Sequence, residues 1–122
     1  MSREHHEREE LARRALATTR WKWLPGMLAL VGQDRELWRI GNFDPPSLRF
    51  GPDARPVLSD AATRGCLLHL VRGAFPDCST CKDGPGWFVI DRDGIEVCGP
   101  CPTESGALVE ALEVADRGRD DD

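Results

Sequence analysis

The spacing Cys78-x2-Cys81-x16-Cys98-x2-Cys101 is the strongest constraint in this sequence. Two C-x2-C pairs about 15–20 residues apart match the pattern of a tetrahedral zinc site. Each thiolate in such a site reaches the metal at about 2.3 Å. For the second pair to return to the first, the chain between them must fold back. The sequence supplies the means. Trp87–Ile90 and Ile95–Cys98 flank Asp91-Arg92-Asp93-Gly94, and Asp-Gly between β-branched and aromatic runs is a strong hairpin signal. The first pair then precedes the hairpin's first strand and the second pair closes its second strand. Residues 78–101 therefore predict a hairpin clipped by Zn2+, with Cys78, Cys81, Cys98 and Cys101 as ligands. Four thiolates leave no open coordination position, so the ion would be structural.

Two other readings of the cysteines stay open. Cys98-Gly99-Pro100-Cys101 is the CGPC of thiol-redox proteins, and a helix start at Thr103 would lower a nearby thiol pKa. Against this, too few residues follow Cys101 to complete a thioredoxin-like domain, and valine rather than tryptophan stands immediately before Cys98. The remaining reading is cysteines with no metal, free or oxidised. Cys66 reads as a small buried hydrophobe, and His69 as a residue of the helix surface. Paired His5 and His6 could bind a metal, but they sit in a terminus expected to be loose.

Apolar periodicity places the other elements. Leu11, Ala12, Ala15 and Leu16 make a stripe on a helix over 7–17. Met27–Val31 and Glu36–Ile40, around a turn at 32–35, read as a hairpin. Pro45, Pro46, Pro52 and Pro56 make most of 41–58 a loop, with Leu48–Phe50 as a short edge strand. Ser59 is the expected N-cap of a helix over 60–74, whose Leu67, Leu70, Val71 and Ala74 mark it as the core helix. Thr103 caps a last helix over 104–116, with Leu108, Ala111, Leu112 and Ala115 inward. The expected fold class is α+β: an antiparallel sheet of four to five strands from two hairpins, covered by three helices. The expected organisation is a loose N-terminus at 1–6, one domain over 7–116 and an acidic tail over 117–122.

Composition narrows function mainly by exclusion. The 122 residues carry a net charge of −5, which disfavours broad capture of nucleic acid. A local basic patch at Arg13, Arg14, Arg20 and Lys22 leaves nucleic acid open as a partner. No apolar run is long enough for a membrane span. The charged N-terminus lacks the apolar core of a signal peptide, so the expected location is cytoplasmic. Trp21-Lys22-Trp23 could be a partner-binding surface, or could pin the first helix to the sheet. Asp91 and Asp93, with Glu96, could meet a basic partner, or serve ordinary turn chemistry. No nucleophile–His–acid set, phosphate-binding loop or paired-carboxylate motif stands out, and no catalytic residue is assigned.

The order of segments resembles small bacteriophage and prophage proteins of the phage ABA-sandwich type. The resemblance rests on "EELARRALATTRWKWLPGM", "LSDAATRGCLLHLVRGAF" and "GWFVIDRDGIEV…GPCPTESGALVEALEVA". Such proteins open with a short helix and a W-x-W segment. They carry a middle helix beginning "LSDPATxGxLL", a "GWxV" strand and a closing "GPTEAEALVAALEAA" helix. The resemblance implies helix–sheet–helix layering. The family pattern does not require the four cysteines, so a zinc clip would be an addition to the scaffold. Small phage accessory proteins often act by binding host machinery, including defence systems. The leading expectation is thus a non-enzymatic phage accessory protein that binds a host or phage protein in the host cytoplasm, as monomer or homodimer. The alternatives are a zinc-ribbon-like nucleic-acid-binding or transcription-modulating module, and a thiol-redox protein using Cys98 and Cys101.

Overall fold

The computed structural model describes residues 3–31, 36–41 and 54–120. Three helices and six strands follow the order α1 (Arg3–Ala17), β1 (Leu28–Val31), β2 (Glu36–Arg39), β3 (Arg55–Pro56), α2 (Ala61–Ala74), β4 (Ser79–Asp83), β5 (Gly86–Ile90), β6 (Glu96–Cys101) and α3 (Glu104–Asp120). The fold is α+β as expected. The strands, however, form two three-stranded antiparallel sheets, β2-β1-β3 and β4-β5-β6, in place of one sheet of four to five. The expected turn at 32–35 and the expected strand at Leu48–Phe50 lie outside the described residues. The third strand of the first sheet among the described residues is Arg55–Pro56, paired with Ala29 and Leu30. Helix α1 begins four residues before the expected start, and α3 runs on past Asp116.

The core helix is α3 rather than α2. Helix α3 packs against all three strands of the second sheet and against α1 and α2. Its Ala107, Leu108, Val109, Ala111 and Leu112 are almost completely buried. Apolar burial on this scale contributes roughly 1.5–3 kcal/mol per large side chain. The start of α3 is in ordinary contact with β6. A Cβ on Gly106 would lie 3.5 Å from the Cβ of Cys101. Thr103 caps the helix as expected, its Oγ1 accepting from the Gly106 N–H at 3.0 Å. Two polar contacts fasten the far end to α1 and to the turn after it. Arg14 donates twice to Glu113, at 2.6 and 3.1 Å, and the Thr19 N–H donates to Asp116 at 3.0 Å.

Helix α2 is capped by Asp60, not by Ser59. The Asp60 carboxylate accepts from the Thr63 N–H and hydroxyl, at 3.0 and 2.9 Å. It also accepts two bonds from Arg39 at the end of β2, at 2.6 and 3.0 Å. Thr63 is fully buried, and its Oγ1 accepts from the Leu28 N–H at 2.8 Å. One carboxylate thus ties β2, β1 and the start of α2 together. A serine at position 59 has the right chemistry, but the acid one residue later also meets a guanidinium.

The Arg39 guanidinium, with help from the Thr63 bonds, holds the Asp60 carboxyl well below the usual carboxylate range. Its stabilising effect is therefore complete above the unfolded carboxyl pKa, about 3.9. It is lost as pH falls below that value toward the folded pKa. Asp60→Asn is expected to flatten the acid limb of stability, and Asp60→Ala to cost about 1 kcal/mol at neutral pH from the lost cap. Urea midpoints measured between pH 2 and 7 check both.

Candidate functional site

The second sheet sorts the four cysteines by face. Thr80, Val89 and Cys98 are cross-strand partners and form one row. Thr80 Oγ1 donates to Glu104 of α3, so this row faces α3. Cys81 is paired with Phe88, one position along. Successive residues of a strand alternate faces, so Cys81 points away from α3. Cys78 precedes β4 and is fully buried. Strand β5 lies between β4 and β6, and each strand step is about 4.8 Å.

Cys98 and Cys101 are brought to the same face by an irregularity. Cys98 is paired with Val89 and Cys101 with Trp87. Three residues of β6 therefore span two of β5, a bulge that restores the inward direction. Gly99 takes a φ of +123° there. The Cys98 thiol donates to the Ala107 carbonyl at 3.2 Å, and the Cys101 thiol to Glu110 Oε2 at 2.9 Å.

This arrangement does not bring the four thiols to one point. Four sulfurs at about 2.3 Å from one ion must converge, whereas Cys81 lies on the opposite face of the sheet from Cys98 and Cys101. Among the described residues no three of His, Cys, Asp and Glu are grouped to hold a metal ion. All five cysteines are free thiols. The redox reading meets a different obstacle. Cys98 and Cys101 lie against the body of α3, not at its N-terminus. Burial, aided by Glu110, pushes both thiols up to about 12. A reactive thiol needs a shift the other way. Burial also raises Cys78 and Cys66.

These positions predict a labelling order. Iodoacetamide at pH 7.5 is expected to modify Cys81 in the native chain well before Cys78, Cys98 and Cys101, with all five reacting in denaturant. Peptide mapping by mass spectrometry checks this. Protection of all four that disappears on adding chelator would instead demonstrate a metal clip.

The other predicted residues are also placed. Trp21 and Trp23 meet edge to face, ring centres 5.3 Å apart. Both are half-buried against the core cluster, with Lys22 exposed between them. The segment thus does mainly packing work. Asp91 Oδ1 accepts from the N–H groups of Asp93 and Ile95, at 2.9 and 3.0 Å. Asp91 is therefore occupied in shaping the turn, while Asp93 is exposed. In the expected basic patch, Arg14 is bound to Glu113 and Arg13 to Glu10, which cancels charge that could attract phosphates. His69 is exposed on α2.

Two features escaped the sequence reading. The first is β2, whose four residues are all exposed, including Leu37 at 62% and Trp38 at 41%. The second is a groove of about 410 Å3 between α1, the first sheet and the start of α3. Leu11, Leu30, Leu37 and Leu58 supply apolar walls, and Arg8, Arg55 and Arg64 supply cations. These residues come from five separate stretches of chain, and no local motif marks them. The alternation of β2 could have exposed the first feature, since Leu37 and Trp38 are adjacent and must face opposite ways. The chain matches no protein-family model, no curated protein and no solved structure.

Proposed function

We propose that this is a non-catalytic binding protein that docks on a protein partner through β2. The observation that carries the reading is the exposure of that strand. Among the described residues β2 ends its sheet, paired on one side with β1. Its backbone edge and the Leu37 and Trp38 side chains are presented together. An edge strand with exposed apolar side chains is suited to strand addition, in which main-chain bonds give affinity and alternate side chains give specificity. The resemblance to small phage proteins supports a host or phage protein as the partner, with a host defence component as one such target.

The test compares the wild-type chain with Trp38→Glu and with Asp93→Ala. A partner recovered from host lysate is re-expressed, and its affinity for each variant is measured. Trp38→Glu is expected to weaken binding at least tenfold and Asp93→Ala to leave it unchanged. Equal binding by all three would overturn the docking surface.

A further inference from the structure

The groove beside α1 has the composition of a small-molecule site. Its volume of about 410 Å3 lies within the ~300–1,000 Å3 range of ligand pockets. Ligand pockets are mostly apolar with a few convergent polar groups, and the leucine walls and arginines fit that description. The electrostatics point to an anion. The whole chain carries −5, yet among the described residues three arginines line the groove against two glutamates, Glu9 and Glu104.

Glu104 does not saturate Arg64, whereas Arg55 is partnered, donating also to the Ala54 carbonyl at 3.1 Å. Glu9 reaches Arg55 at 3.3 Å. Glu104 is committed to the Thr80 hydroxyl through Oε2, and its other oxygen stands 3.8 Å from Arg64, beyond hydrogen-bond length. The Arg64 Nε is buried with no hydrogen-bond partner. A buried donor left unmade is costly, so internal bonds hold the Arg64 side chain only weakly. A guanidinium presents paired donors that match carboxylate and phosphate geometry. The start of α3, where Glu104 and Ser105 line the same groove, adds partial positive charge.

We propose that this groove binds a small amphipathic anion, an apolar chain or ring ending in a carboxylate or a phosphate. The head group meets Arg64, and the apolar body lies along Leu11, Leu30 and Leu37. The assignment does not rest on strand addition at β2. Leu37 and Trp38 face opposite ways, so a groove ligand and a Trp38-dependent partner are separable.

Isothermal titration of the full chain with octanoate, octyl phosphate, octan-1-ol and octylammonium tests it. One octanoate or octyl phosphate is expected per chain, with the alcohol at least tenfold weaker and the cation weaker still. The tighter of the two anions identifies the head group. Arg64→Gln is expected to weaken the anion about tenfold. Leu37→Glu, at a position exposed enough not to disturb folding, places a carboxylate at the groove and is expected to abolish binding. Octan-1-ol binding as tightly as the anions would overturn the proposal. So would anion affinity unchanged in Leu37→Glu. A groove filled by a second copy would appear as a dimer in sedimentation velocity, and would equally overturn it.

Discussion

Gly99→Ala is expected to destabilise the chain by about 3 kcal/mol. Two costs add. Gly99 has a φ of +123°, a region L-residues enter at roughly 1–2 kcal/mol. A Cβ there would also lie 2.7 Å from the Trp87 carbonyl oxygen and 3.0 Å from the Phe88 Cα. Both are backbone atoms of β5 and cannot swing aside. Overpacking of this sort costs roughly 1–3 kcal/mol. Gly94→Ala is the control. Its φ is +79°, but nothing lies within 4 Å of the added methyl, so only the conformational cost remains. Urea unfolding of the two variants should separate clash from strain. A Gly99→Ala chain no less stable than Gly94→Ala would show that β6 does not hold the bulge that turns Cys101 inward.

Leu112→Ala is expected to cost about 2–5 kcal/mol, the range for removing a buried leucine. Leu112 is completely buried on α3, and α3 is the element both α1 and the second sheet lean on. Leu70→Ala on α2, 8% exposed, is expected to cost less, since its site opens toward solvent. Total stabilities of small domains are about 5–15 kcal/mol. Leu112→Ala therefore removes a large share, readable as a lowered urea midpoint with an unchanged slope.

The helices and hairpins were legible for physical reasons. Leu67, Leu70 and Val71 recur at helical spacing and are buried, and Asp91-Arg92-Asp93-Gly94 does join β5 to β6. The rank of the helices was not legible. Helix α3 looked less apolar than α2 because Ser105, Gly106 and Ala107 read as neutral. All three are nonetheless buried in α3's packing against its neighbours. Strand β6 continues through Gly99 and Pro100, residues that argue against a strand. It can do so because it is an edge, where proline is tolerated. The strand parity of the cysteines was not legible in their spacing. In an extended strand, residues three apart point to opposite faces. A C-x2-C pair converges only where a turn or a bulge adds a residue, and Gly99 does this for one pair. The groove was hidden because its arginines are far apart in sequence.

The split into two sheets also bears on how this chain behaves when concentrated. Two open sheets present four edges, β2, β3, β4 and β6, among the described residues. Edges invite growth by stacking further chains unless something blunts them. Three are blunted. Strand β3 is two residues long and ends in Pro56, β6 carries Glu96 and Pro100, and β4 ends in Lys82 and Asp83. Strand β2 has charges only at its ends, Glu36 and Arg39, with Leu37 and Trp38 between them. Aggregation of the purified protein should therefore start at β2, and a lysine in place of Leu37 should raise the concentration at which it begins.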